Sequence, residues 1–188
     1  NSQHGLFFTG LGTTDMRIFQ NLFVGVTRAL TLGYDDRDPE NVIQKGGAGA
    51  QLTSNHYTYT GMPEPGWFIR NGGQGGSLMA VNEYYDQHGN AYPIRLGNSK
   101  AKVSNSHFLC AAIQDAAGLI RVMTGGSQQL VCVHNSVDAK GSNLKSLVYY
   151  SAKEGTPTGG IISQNEVYGT TANWLGHAID KNLALPDS

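Results

Sequence analysis

The spacing of apolar residues changes once along this chain. Between Asp15 and Leu32, Met16, Phe19, Leu22, Phe23, Val26, Ala29 and Leu30 fall on one helical face, opposite Arg17, Gln20, Asn21, Thr27 and Arg28. Thr14 or Asp15 can cap the start, and Gly33 can supply the left-handed residue past the end. The spacing predicts an N-terminal α-helix over 15–32. The same segment also alternates through Ile18, Leu22, Val24, Val26, Leu30 and Leu32, as a strand would. That reading puts Phe19 and Phe23 on the polar face, whereas the helix must tolerate Gly25 in its interior. The helix is favoured.

Beyond Gly33 the apolar runs are short, rich in Tyr, Val, Ile, Leu and Thr, and bounded by glycine, of which the chain has 25 in 188 residues. Such punctuation predicts many short strands. Candidates are His56–Thr60, Trp67–Arg70, Ser77–Tyr85, Tyr92–Leu96, Ser106–Ile113, Leu119–Thr124, Gln129–Asn135, Leu144–Ala152, Ile161–Tyr168 and Ala172–Ile179. The best hairpin runs through Glu83–Tyr85, turns at Asp86–Asn90 and returns through Tyr92–Arg95. The expected fold is mainly β, an antiparallel β-sandwich or intertwined fibre-tip β structure. It forms one domain over 1–188, with a helix-containing segment over 1–45 and a β-rich tip over 46–188. Lys45–Leu52 echoes Asn71–Leu78 at an offset of 26 positions, but two copies do not predict a solenoid, which needs at least three stacked units.

Composition narrows the class. Charged residues make up 14% of the chain, against about a quarter in ordinary soluble domains, so amides, hydroxyls and glycine cover the surface. This suits an extracellular or virion-surface protein. A net charge of −1 predicts no nucleic-acid partner, and the lack of a long apolar run predicts no membrane insertion. Asn1 is not an initiator methionine, so a mature product or excised domain is expected. Cys110 and Cys132 each lie in an apolar run, which leaves a disulfide and two buried thiols both open.

No nucleophile elbow, zinc-protease motif, C-x-x-C or P-loop is present, and the expectation is a protein without catalytic residues or cofactor. A carboxylate pair drawn from Glu64, Glu83, Asp86 and Glu166 is the alternative. Asp36, Asp38 and Glu40 are a weak candidate for a cation, in a stretch that reads more simply as a solvated connector. The stronger signal is aromatic. Tyr57, Tyr59, Trp67, Tyr84 and Tyr85 are expected to stack on ligand, with Asn71, Asp86 and His88 as polar partners. Rings beside amides and carboxylates suit sugars, whose C–H faces stack while their hydroxyls need planar partners.

The stretches Tyr85-Asp86-Gln87-His88-Gly89-Asn90-Ala91-Tyr92-Pro93-Ile94, Leu96-Gly97-Asn98-Ser99 and Gly169-Thr170-Thr171-Ala172-Asn173-Trp174-Leu175-Gly176 cover a small part of the chain. On them it resembles the C-terminal receptor-binding tip of a phage tail fibre or a related trimeric fibre adhesin. With only two Gly-Gly-x-Gly loops it departs from the polyglycine-sandwich adhesins. The resemblance implies a homotrimer binding a cell-surface glycan or protein receptor. The rival readings are a glycan-cleaving enzyme and a structural capsid or appendage subunit.

Overall fold

A computed structural model of the chain describes residues 4–8, 16–32, 49–60, 67–71, 76–88, 93–97, 99–111, 118–122, 129–150, 160–170 and 177–179. Their nineteen strands cycle through three sheets in strict rotation. Sheet A holds β1 (His4–Phe8), β4 (Arg28–Leu32), β7 (Trp67–Asn71), β10 (Ile94–Leu96), β13 (Ile120–Val122), β16 (Val148–Tyr150) and β19 (His177–Ile179). Sheet B holds β2 (Met16–Phe19), β5 (Gly49–Thr53), β8 (Gly76–Val81), β11 (Ser99–Ser104), β14 (Leu130–Val133) and β17 (Gly160–Ser163). Sheet C holds β3 (Leu22–Val24), β6 (His56–Thr60), β9 (Tyr84–His88), β12 (His107–Ala111), β15 (Ser136–Asp138) and β18 (Glu166–Tyr168). Every pairing is parallel and joins a strand to its counterpart three elements on. The chain therefore winds as a parallel β-helix, each coil laid on the last.

This corrects the expected antiparallel sandwich with an N-terminal helix. No described residue is helical, and 16–32 forms β2, β3 and β4. The helix fails at two corners, where Gln20 (φ 55°) and Gly25 (φ 64°) take left-handed backbone that no α-helix accommodates. Phe19, placed on the helix's buried face, is 61% exposed, while Ile18 beside it points into the core. The hairpin is corrected as well. Residues 84–88 form β9, paired in parallel with β6 and β12, and the supposed return strand, β10, belongs to sheet A.

One corner is built the same way in every coil. Between sheets B and C, the chain turns through a left-handed residue followed by a residue directed inward: Gln20–Asn21, Ser54–Asn55, Asn82–Glu83, Asn105–Ser106, His134–Asn135 and Gln164–Asn165. The inward side chains interlock. Asn21, Asn55, Glu83, Ser106 and Asn135 each donate their backbone N–H to the side-chain oxygen of the next in line, at 3.0–3.2 Å. The Nδ2 groups of Asn55, Asn135 and Asn165 donate back to the carbonyls of Ile18, Val103 and Cys132. Each rung thus satisfies turn groups that burial would otherwise strand, an arrangement worth about 1 kcal/mol per hydrogen bond.

Core columns run beside this ladder. Ile18, Leu52, Ala80, Val103, Cys132 and Ile162 stack along sheet B. Phe23, Tyr57, Tyr85, Phe108, Val137 and Val167 stack along sheet C. Adjacent rings in the second column lie 5.1, 5.2 and 4.6 Å apart and nearly parallel. The two cysteines are free and buried, on different sheets, and burial raises both thiols, Cys132 to about 12.

Candidate ligand-binding face

Strand alternation sends neighbouring residues to opposite faces, so the core rings of sheet C have polar counterparts outside. The residue after each ladder position faces outward: Leu22, His56, Tyr84, His107, Ser136 and Glu166 form one column. Val24, Thr58, Asp86, Leu109, Asp138 and Tyr168 form the next. His56 meets the edge of Tyr84 at 4.5 Å, and Tyr84 stacks on His107 at 5.2 Å. His107 Nδ1 lies 2.7 Å from Ser136 Oγ, continuing the row across a fourth coil. In the flanking column, Thr58 Oγ1 donates to Asp86 Oδ2 at 3.2 Å. Lys140 pairs with Asp138 at 2.9 Å, and its hydrogen bond and charge hold that carboxyl below its usual range. Tyr168 donates to Glu166, which raises the Tyr168 hydroxyl.

The result is an open strip of rings, carboxylates and hydroxyls crossing the coils. Its chemistry is reversible polar contact and stacking. Among the described residues, no group of three or more His, Cys, Asp or Glu could hold a metal ion. Two shallow depressions lie over sheet B, one of about 300 Å³ lined by residues such as Gln51, Ser77, Met79, Lys100 and Lys102, and one of about 420 Å³ lined by Arg17, Phe19, Gln20, Gln51, Thr53 and Ser54; neither has a carboxylate in its lining.

The residues singled out from sequence are dispersed by the fold. Tyr84 and Asp86 lie together on the strip. Tyr57 and Tyr85 are fully buried rings of the core column, and the Tyr57 hydroxyl donates to Glu83 at 2.9 Å. Tyr59 is half-buried and packs against the core. Trp67, expected to stack on ligand, is instead fully buried at the start of β7, its Nε1 donating to Thr31 Oγ1 at 3.1 Å and its ring packed against Arg28, Arg70 and Arg95. Asn71 ends β7 and is fully buried, with neither its Oδ1 nor its Nδ2 partnered. His88 is the last residue of β9. Asp36, Asp38 and Glu40 lie outside the described residues.

His107, Ser136, Asp138 and Tyr168 escaped the sequence reading. The signal that finds them is the corner dipeptide, because the outward positions follow it at fixed distances in every coil. In the sequence, His56 only opens the strand run His56–Thr60 and Glu166 is only one of four candidate carboxylates, with nothing to place them in one column.

Glu83 is the one acid of the inner ladder, 1% exposed. Burial lifts its carboxyl to about 7, against the hydrogen bonds from Asn55 and Tyr57 that favour the charged form. It serves the ladder, not the strip. No family model, curated protein or solved structure matches the chain.

Proposed function

We propose that this protein is a glycan-binding β-helix, displayed at a cell or virion surface, whose ligand lies across the coils on the outer face of sheet C. The observation that carries the reading is the row His56–Tyr84–His107–Ser136, one side chain per coil, flanked by Thr58, Asp86 and Asp138. Coils repeat at about 4.8 Å, close to the length of one sugar ring, so successive residues of an extended oligosaccharide meet successive rungs. Rings give stacking faces, and the carboxylates and hydroxyls accept and donate to sugar hydroxyls. Each contact is weak, and a homotrimer would multiply them through avidity. Glycan-array binding together with sedimentation tests both parts. A monomer that binds neither glycans nor whole bacterial envelopes overturns the proposal.

One observation favours cleavage as a second reading. Asp86 and Asp138 share a column with Leu109 between them, so their backbones stand two strand spacings, roughly 10 Å, apart. From backbones at that spacing, the two side chains can bring their carboxyl groups to the roughly 6.5–9.5 Å separation used by inverting glycosidases. Shortened chains after incubation with envelope polysaccharide, lost in Asp138→Asn, would establish it over simple binding.

A further inference from the structure

We propose that the outer face of sheet B carries a second site, separate from the strip on sheet C, that holds one anionic sugar residue at Lys100 and Lys102. The described strands segregate charge by sheet. Those of sheet B contain Arg17, Lys100 and Lys102 and no acid, whereas those of sheet C contain Asp86, Asp138 and Glu166 and no Lys or Arg. Lys100 and Lys102 are exposed, and both point outward because Ala101 and Val103, which alternate with them on β11, lie in the core. Among the described residues neither lysine has a hydrogen bond or an ion pair.

Register explains the depression beside them. Gly49, Ser77 and Lys100 follow one another in one outward row, and Gln51, Met79, Lys102 and Val131 in the next. The two small residues leave a trough, flanked by Gln51 and Met79 and closed on the following coil by the lysines. Its volume of about 300 Å³ is at the small end of ligand pockets, which run from about 300 to 1,000 Å³, and suits one or two sugar residues. Residues two apart on a strand stand about 6.6 Å apart, and flexible lysine stems let both ammonium groups reach one carboxylate or phosphate. Met79, 42% exposed, gives an apolar flank for the C–H face of the sugar ring. The side chains of Gln51, Ser77 and Gln129 can donate to and accept from its hydroxyls. With no carboxylate in the lining, nothing there competes with the ligand for the ammonium groups. Nucleic acid fits less well, because a chain of net charge −1 with three cations spread over sheet B has no broad basic surface to offer.

The test is an NMR titration of the protein with glucuronate, glucose 6-phosphate, glucose and inorganic phosphate at low and physiological salt. The expected result is saturable, salt-sensitive shifts of the Ser77, Met79, Lys100 and Lys102 amides with at least one of the two anionic sugars, and none with glucose at the same concentration. Inorganic phosphate should bind more weakly than the sugar, because it gains no contact with Met79 or the amides. Lys100→Gln/Lys102→Gln should lower the affinity about tenfold or more. Ser77→Phe, at an exposed position, keeps both charges but fills the trough, and should weaken binding by a similar factor. Tyr84→Ala, on sheet C, should leave these shifts unchanged, so the two sites succeed or fail separately. Absence of saturable shifts with both anionic sugars, glucose or inorganic phosphate binding as tightly as they do, or undiminished affinity in either sheet B variant would overturn the proposal.

Discussion

The two faces of sheet C are made from adjacent residues with opposite duties. Tyr57, Tyr85 and Phe108 stack inside, sealed from solvent, while His56, Tyr84 and His107, each one position earlier in the chain, stack outside. The inner row is held by packing and by the polar ladder beside it. The outer row rests on the same backbone and contributes little burial. Strand parity alone therefore decides whether an aromatic residue of sheet C packs in the core or stands on the outer face, and composition cannot separate the two positions.

Substitution separates them, and the inner row should show the largest effect. Tyr85→Ala should cost about 4 kcal/mol, seen as a lower midpoint in denaturant, because the cavity opens between stacked rings. Tyr85→Phe should be tolerated or slightly stabilising, since the hydroxyl is buried without a hydrogen-bond partner and Phe108 already fills the next rung.

Glu83 comes next. Its folded value near 7 lies above the ordinary carboxyl value of 4.5, so the folded state binds the proton more tightly than the unfolded chain. Stability is complete below about pH 4.5 and is lost as pH rises through 7, by on the order of 3 kcal/mol in total. Denaturant midpoints measured from pH 4.5 to pH 8 should fall accordingly, and Glu83→Gln should flatten the profile over that window. A smaller gain is expected from Asn71→Leu. Its amide is buried and unpartnered in a column whose adjacent rungs are Leu32 and Leu96, so replacement should raise stability by about 1–2 kcal/mol.

The mainly β character was legible in the sequence, and the candidate runs overlap described strands, but Ser77–Tyr85 and Ile161–Tyr168 each cross a corner into a second sheet, and β5, β11 and β15 went unlisted. How the strands connect was not legible. Successive coils differ in length, so the corner recurs after 34, 28, 23, 29 and 30 residues. That defeats any search for a fixed period. The echo between Lys45–Leu52 and Asn71–Leu78 did touch neighbouring coils, but at an offset of 26. The true register pairs Ala50 with Leu78 and Leu52 with Ala80, two positions away. The segment 15–32 misled because its two corners, at Gln20 and Gly25, break the alternation into two- and three-residue phases that a helical period also fits. Four of the five rings singled out from sequence are buried or packed against the core, Tyr57, Tyr59, Trp67 and Tyr85; Tyr57 and Tyr85 alternate with outward His56 and Tyr84, and only the register shows which set faces out.

Binding of Tyr84→Ala to glycans, measured beside its denaturant midpoint, tests the division between the two faces most directly. The account predicts a midpoint within about 0.5 kcal/mol of the parent, as for other surface substitutions, together with at least a roughly tenfold loss of glycan affinity. Undiminished glycan binding, or a loss of stability as large as that of Tyr85→Ala, would contradict it.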